Sequence, residues 1–207
     1  MLELVCVRHG RTAWNADLRF QGQSNVPLDS LGRAQAMLLA LQLRTPPFDG
    51  AFSSDLERSA ETARIILGEH PGLELRLDED LREMSFGAWE GLTWAQIVKD
   101  DPKLASDGWA RPKNYTPPGG ERFEDVIVRA GRAVGRIRES FTAGRVLVVT
   151  HAGVLHALLR VVLGEAEASA LDVRFLPGAI TRFALEGPGS GQLLALNETL
   201  DAASLGR

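Results

Sequence analysis

The chain has 207 residues, a formal net charge of −4 and a single cysteine, Cys6. Hydrophobic residues make up 44% and charged residues 24% of it, as in an average globular domain, which excludes a disordered or fibrous protein. The acidic balance, without any basic block, argues against nucleic acid as a partner. The absence of a leader-like start and of long apolar stretches predicts a cytoplasmic protein that does not contact membranes.

Short apolar runs alternate with amphipathic stretches along the first three quarters of the chain. The apolar runs predict buried strands at Leu2–Val7, Phe48–Ser53 and Val146–Thr150. The amphipathic stretches predict helices from Asp29 or Ser30 to Leu43, from Leu56 to Leu67, from Phe123 to Phe141 and from Val154 to Leu163. Two capping boxes, Ser54 with Glu57 and Thr93 with Gln96, are expected to begin helices.

The last part of the chain has a different pattern. Val173–Phe175, Ile180–Leu185 and Leu193–Leu196 look like strands separated by glycine- and proline-rich turns, which predicts an antiparallel edge. The expected fold is therefore an α/β three-layer sandwich, with a mostly parallel central sheet, an antiparallel edge and helices on both faces. We expect a single domain over residues 1–207 with a lid-like insertion at about 84–120, including a long loop over Asp100–Gly120.

Two predicted strands are each followed directly by a histidine. Arg8, His9 and Gly10 follow the first strand, and His151 follows Val146–Thr150. Ligands of open parallel sheets bind beyond the carboxyl ends of the strands, so both imidazoles are expected in one crevice. Ala152 would open the next helix there, with backbone N–H groups that favour an anion. Either histidine alone is a weak signal.

Two further residues are candidates for chemistry. Arg58 lies early in the helix after Phe48–Ser53, at the same sheet edge, although a solvent-facing helix arginine is the commoner explanation when this residue is taken alone. Glu83 has mostly uncharged neighbours, which can raise the pKa of a carboxyl as a general acid requires. Spacing alone does not choose between Glu83 and its neighbours Glu79 and Asp80. The acidic run at residues 78–80 could also bind Mg²⁺ as in a magnesium-dependent phosphatase, and this alternative stays open.

Taken together, these pieces resemble the histidine phosphatase superfamily, also called the phosphoglycerate-mutase-like family, over nearly the whole chain. The similarity lies in ordered blocks. They are Arg8-His9-Gly10-Arg11-Thr12-Ala13-Trp14-Asn15, Arg19-Phe20-Gln21-Gly22, Ser54 to Ala63 with Arg58, Leu81-Arg82-Glu83 with Gly87-x-Trp89-Glu90-Gly91, Gly120-Glu121, and Val148 to Gly153 with His151. Among the three acidic candidates, the resemblance selects Glu83.

The resemblance implies an enzyme that hydrolyses a small anionic phosphate ester without metal or other cofactor. His9 would form a phosphohistidine, and Glu83 would protonate the leaving oxygen. Substrate binding would also involve Gln21, Gly22 and backbone at Ala152. The groups expected to hold the phosphate oxygens are Arg8, Arg58, Asn15 and a charged His151.

Departures from the family pattern bear on the branch and on the substrate. The mutase branch has a tyrosine and a lysine where this chain has Phe86 and Trp94, and Arg111 stands singly in the lid, which favours a phosphatase over a mutase. Arg11 replaces a usually acidic residue and is expected to favour a second anionic group on the substrate. A phosphoglycerate mutase and a non-catalytic phosphate-binding scaffold remain alternatives, and a homodimer is compatible with the sequence. Aromatic residues expected either to line the leaving-group pocket or to pack in the lid are Trp89, Trp94, Trp109 and Tyr115.

Overall fold

The computed structural model describes residues 1–107, 116–187 and 190–199, and it contains one six-stranded mixed sheet. The strands are β1 (Leu2–Arg8), β2 (Gly50–Ser53), β3 (Leu75–Leu77), β4 (Gly144–Thr150), β5 (Ile180–Gly187) and β6 (Ser190–Glu198). Their order is β3-β2-β4-β1-β5-β6. The first four in this order are parallel, whereas β5 and β6 are each antiparallel to the preceding neighbour. The predicted sheet with its antiparallel edge is confirmed.

Helices cover both faces of this sheet. They are α1 (Ala13–Ala16), α2 (Ser30–Leu43), α3 (Glu57–Leu67), α4 (Trp94–Asp100), α5 (Phe123–Ser140), α6 (Ala152–Leu163) and α7 (Glu165–Ser169). Three short 3-10 helices lie at Glu79–Leu81, Gly87–Trp89 and Pro102–Asp107. Among the described residues, no helix is both long and apolar enough to cross a membrane.

Alternation along β1 explains the layers. Leu4 and Cys6 face the core that α5 and α6 cover, whereas Val5 and Val7 face the core that α2 and α3 cover. All four side chains are fully buried. A strand segment covered on both faces has no position for a polar residue, which is why Leu4–Val7 is continuously apolar, whereas Glu3, at the less buried start of β1, is polar.

Some predicted elements differ in the structure. The segment Val173–Phe175 is extended but is not a strand. Its side chains alternate between exposed (Arg174) and buried (Phe175), which resembles the pattern of an edge strand. The Ser54–Glu57 capping box is wrong: α3 begins at Glu57 with Leu56 at its N-cap, and Ser54 Oγ instead accepts from the Leu56 N–H at 3.2 Å. The Thr93–Gln96 box is confirmed. Strand β3, helices α1 and α7 and the exact start of β2 were not predicted.

The segment after Glu83 folds back onto the chain near Phe20. Buried Phe20, Trp89, Ile97 and Leu104 form a separate apolar cluster, with Trp94 packed against it. The Trp89 and Trp94 side chains thus pack with each other and with Phe20. Of the long loop expected over Asp100–Gly120, the described part contains a 3-10 helix and a turn at 117–120. Trp109, Arg111 and Tyr115 lie outside the described residues.

Candidate active site

The carboxyl ends of three parallel strands bring the predicted residues together. Arg8 is in register with Thr150, and Ser53 with Val149, so β1, β4 and β2 end at one level. The next residues, His9 and His151, stand side by side with ring centroids 5.1 Å apart. The expectation that both imidazoles meet at one edge of the sheet is confirmed.

The His9 ring is held in one tautomer. Its Nδ1 lies 2.7 Å from the Gly10 carbonyl oxygen, and since a carbonyl only accepts, Nδ1 carries the proton. The other nitrogen, Nε2, is an acceptor 3.3 Å from Arg58 Nε. Burial, followed by the charges of Arg58 and Arg8, holds the pKa of His9 well below its usual value of 6.5. His9 is therefore neutral at neutral pH, with a lone pair on Nε2.

Arg8, which is partly buried, and Arg58, which is fully buried, supply two positive charges beside His9. Arg8 donates to the Phe175 carbonyl at 2.6 Å, and its Nε has no partner among the described residues. Arg58 donates to the carbonyls of Gly22 and Ser24 at 2.7 and 2.8 Å. Burial lowers the pKa of each guanidinium to about 10, so both remain charged at neutral pH. The carbonyl partners orient the two guanidinium groups without neutralising their charge, so both groups can bind an anion.

Glu83 is buried at the same edge, with its two oxygens in different surroundings. Oε1 accepts from the Met84 and Gly153 N–H groups at 2.9 and 3.0 Å, whereas Oε2 has no partner among the described residues. Burial raises the pKa of Glu83 against the opposing effects of the Met84 hydrogen bond and of Arg58, Arg8 and Arg129. Oε2 is thus the site where a proton can be held and released.

Glycine at position 153 is a requirement of this contact. A Cβ there would lie 2.3 Å from Glu83 Oε1. The first turn of α6 therefore presents a bare backbone N–H to the carboxyl group. The helix N-terminus that was expected to favour a bound anion instead meets the Glu83 side chain through Gly153.

Arg129 was not among the predicted site residues, although it holds the Glu83 segment in place. This buried residue of α5 donates to the carbonyls of Asp80 and Glu83 at 2.8 and 3.0 Å, and also to the Arg82 carbonyl. It forms a bidentate ion pair with Glu121, and Glu121 Oε2 also accepts from the Ser85 N–H at 2.7 Å. Of the residues in this network, only Glu121 stood in a motif that the sequence analysis identified. The contacts of Arg129 with backbone carbonyls could not be predicted, because every residue has a carbonyl.

His151 lies behind His9 rather than in the wall of the cavity. Its Nε2 is 3.2 Å from Ser59 Oγ, and its buried Nδ1 has no partner among the described residues. Burial, then Arg58, His9 and Arg8, hold its pKa well below 6.5. The His151 imidazole is therefore neutral at neutral pH in the protein without a ligand, whereas the sequence analysis expected it to be charged.

A cavity of about 450 Å³ opens in front of His9. Its inner end includes the predicted residues Asn15, Gln21, Gly22 and Ala152. The side-chain oxygens of Asn15 and Gln21 accept from Thr12, at 3.0 Å in each case. Their amide nitrogens, which are donors, hold no partner among the described residues and are available to an anion.

The structure does not bring Arg11 into this cavity. Its Nε donates to Asp29 Oδ2 at 2.8 Å, at the start of α2, and Arg11 is absent from the cavity wall. The close approach of Gly10 to the Gly32 carbonyl, where a Cβ would lie 2.4 Å away, packs this part of the chain onto α2. The expected role of Arg11 toward a second anionic group is therefore not supported.

Much of the remaining cavity wall consists of residues to which the sequence gave no binding role. The aromatic lining comes from Trp14, Phe20, Phe86, Phe123 and Phe175 rather than from Trp89 and Trp94. One wall is the extended segment 171–177, which was expected to be partly strand. Asp78 and Asp80, the alternative magnesium ligands, are held in ion pairs with Arg132 and Arg136 at a different place.

Comparison with known proteins agrees with this geometry. The sequence profile of the histidine phosphatase superfamily (branch 1) matches residues 4–199. The chain belongs to this superfamily. It is 34% identical over 194 residues to a bifunctional protein of Mycobacterium tuberculosis, covering 92% of this chain but 53% of that protein, so it spans about half of that relative's length.

Two further similarities are to phosphatases. The chain is 40% identical over 165 residues to the glucosyl-3-phosphoglycerate phosphatase of Mycobacterium tuberculosis, covering 75% of this chain and 72% of that protein. A structure of the mycobacterial glucosyl-3-phosphoglycerate phosphatase in complex with VO3 superposes with a TM-score of 0.84. The two are 35% identical, and the match covers 95% of this chain and 99% of the other.

Proposed function

We propose that this chain is a phosphomonoesterase, which hydrolyses a small phosphate ester through a phosphohistidine on His9 and needs no metal ion. The observation that carries the proposal is the state of the His9 ring. Its proton is fixed on Nδ1, its lone pair is on Nε2, and two charged guanidinium groups stand beside it. This is the combination that attack on a phosphate dianion requires.

In the first step, His9 Nε2 attacks phosphorus, so that an N–P bond forms while the ester O–P bond breaks. The leaving oxygen takes the proton from Glu83 Oε2, which leaves Glu83 as a carboxylate. Arg8 and Arg58 stabilise the charge on the non-bridging oxygens, with the Asn15 amide as a further donor. Phosphoryl transfer needs little covalent help beyond such positioning and fixed charge.

In the second step, a water molecule attacks the phosphohistidine. The ionised Glu83 takes a proton from this water as the new O–P bond forms and the N–P bond breaks. His9 and the protonated Glu83 are thereby restored, and inorganic phosphate leaves. Glu83 serves as acid and then as base, and its raised pKa favours the protonated form that the first step requires.

A bound phosphate would also change His151. The cations that lower the pKa of His151 include Arg58 and Arg8, which a phosphate dianion would neutralise. The pKa of His151 therefore rises when the dianion binds, and the imidazole can take up a proton and contribute positive charge. This role reconciles the neutral His151 of the protein alone with a charged His151 in the complex.

The proposal is tested by hydrolysis of 4-nitrophenyl phosphate in the presence of a chelator. We expect activity that the chelator does not reduce and that His9→Ala abolishes. Chelator-sensitive hydrolysis would contradict metal independence. Isomerisation of phosphoglycerate in the presence of a bisphosphoglycerate primer would instead support the mutase alternative, and binding of phosphate without turnover would support the scaffold. The cytoplasmic location and the homodimer stay predictions.

A further inference from the structure

Helix α3 carries three polar side chains on its buried face. They are Arg58, Ser59 and Thr62, and all three are fully buried. Arg58 donates to His9 Nε2 at 3.3 Å, and Thr62 Oγ1 accepts from the backbone N–H of the residue after His9 at 3.1 Å. Ser59 turns instead to the second imidazole, with its Oγ 3.2 Å from His151 Nε2. Because a buried hydroxyl costs free energy unless it has a partner, this contact accounts for the direction of the Ser59 side chain.

The His151 ring is held through this contact. The imidazole is fully buried, and its Nδ1 has no partner among the described residues. The carboxyl group of the site, Glu83, binds the Gly153 N–H at 3.0 Å. The groups whose charges lower the pKa of His151 are all basic: Arg58, His9, Arg8 and Arg129. When His151 gains a proton, Ser59 is therefore the group that must adapt to the charged ring.

A hydroxyl can serve both charge states of an imidazole. Toward the neutral ring, Ser59 can donate its proton to a lone pair on Nε2. Both nitrogens of the charged ring carry protons, so Ser59 must then accept from Nε2 and turn its own proton to the Thr150 carbonyl, 3.5 Å from Oγ. That carbonyl already accepts from the His9 N–H at 3.0 Å and keeps a second lone pair. Rotation of one hydroxyl thus reverses the hydrogen bond and leaves both side chains in place.

We propose that Ser59 is a positioning residue, which holds His151 in place and lets it take up a proton from solvent when a phosphate dianion binds. The hydrogen bond then runs from His151 Nε2 to Ser59 Oγ. Ser59 is absent from the described residues that line the cavity, so it acts through His151 and does not touch the substrate. This inference rests on the proposed phosphatase activity and explains how a buried imidazole of that site changes its charge.

The charge of the His151 ring can be measured directly by NMR, because the chain has four histidines. In protein labelled with ¹⁵N-histidine, the signal of His151 is the one that His151→Gln lacks. With saturating inorganic phosphate at neutral pH, both ring nitrogens of His151 should be protonated in the wild type. In Ser59→Ala the ring should stay largely neutral. The Kd of phosphate should rise about tenfold, as expected when a hydrogen bond to a charged group is lost.

Ser53→Ala is a matched control, because it removes another fully buried hydroxyl, which donates to the Ser54 carbonyl at 2.8 Å. It should leave the affinity for phosphate and the charge of His151 unchanged. Ser59→Cys fills the space with a weaker hydrogen-bonding group and should resemble Ser59→Ala. In both Ser59 variants, kcat/KM for 4-nitrophenyl phosphate should fall about tenfold at neutral pH. The loss should shrink as pH falls, because acid protonates His151 without help from Ser59.

The outcomes separate this inference from the proposed function. If the wild type hydrolyses the ester but His151 stays neutral with phosphate bound, or is equally charged in Ser59→Ala, the role of Ser59 is wrong while the phosphatase stands. A loss of kcat/KM that is the same at every pH would also overturn it, because Ser59 would then be a packing residue. If the wild type neither binds phosphate nor hydrolyses the ester, the proposed function fails and the inference with it. Thermal unfolding checks the fold of each variant, and Ser59→Cys provides the test if Ser59→Ala does not fold.

Discussion

The two ends of the cavity are built in different ways. The floor, defined as Arg8, His9, Arg58 and Glu83, is buried except for the partly exposed Arg8, and backbone hydrogen bonds orient each of its side chains. The mouth, defined as Trp14, Arg19 and residues 171–177, includes exposed side chains from an extended segment. In the proposed mechanism, the buried groups of the floor determine whether the reaction occurs, whereas the exposed groups of the mouth determine which ester is accepted. Variants of the floor should therefore change kcat by orders of magnitude, and variants of the mouth should change selectivity by small factors.

The largest effect is expected at His9. Replacing His9 with Ala removes the nucleophile, and kcat for 4-nitrophenyl phosphate should fall at least about 1,000-fold. His156→Gln is a matched control, because His156 lines the same cavity without a part in the proposed steps. Similar losses in both variants would mean that the cavity, rather than His9, accounts for the activity.

Glu83→Gln should lower kcat about 100-fold for an alkyl phosphate, because its leaving oxygen needs a proton. The rate of the first step with 4-nitrophenyl phosphate should fall much less, because 4-nitrophenolate leaves without a proton. In the wild type, kcat for the alkyl ester should fall as pH rises through the raised pKa of Glu83, because the proton donor is lost. Stopped-flow and steady-state assays across pH measure both effects. If Glu83→Gln showed the same fall in kcat at high pH, the alkaline limb of the pH profile, the role of Glu83 as the acid would be contradicted.

Arg129 tests whether the floor depends on its supporting network. Arg129→Met should lower kcat about tenfold and move the alkaline limb to higher pH, because Arg129 lowers the pKa of Glu83. The lost buried ion pair with Glu121 should also cost about 3 kcal/mol of stability. Arg129→Lys keeps the charge but not the geometry, so kcat should fall while the limb stays in place. Equal pH profiles in all three proteins would reduce Arg129 to a structural role.

The smallest effect is expected at the mouth. Leu176 is 40% exposed and lines the cavity, so Leu176→Ala should change KM about threefold and leave kcat nearly unaltered. Steady-state kinetics with 4-nitrophenyl phosphate provides the measurement. A tenfold loss of kcat would show that the mouth contributes to the chemistry, and the distinction between the two ends would fail.

The difference between floor and mouth also explains what the sequence could predict. His9 and His151 follow apolar strands directly, so their convergence follows from the parallel sheet. The wall at residues 171–177 could not be located, because its alternation between exposed and buried side chains resembles the alternation on an edge strand. Arg11 pairs with Asp29, which is 18 positions away in the sequence. Arg129 donates to the backbone carbonyls of Asp80 and Glu83, which are 49 and 46 positions away. Residue type and spacing do not reveal such contacts.

The most direct test of the account is to trap the phosphoenzyme. Rapid mixing with a ³²P-labelled aryl phosphate, followed by alkaline denaturation and peptide mapping, measures which residue carries the label. We predict a base-stable, acid-labile phosphate on His9 in the wild type, with greater accumulation in Glu83→Gln because water is no longer activated. Rapid hydrolysis of the ester with no label on His9, or with the label on another residue, would contradict the account.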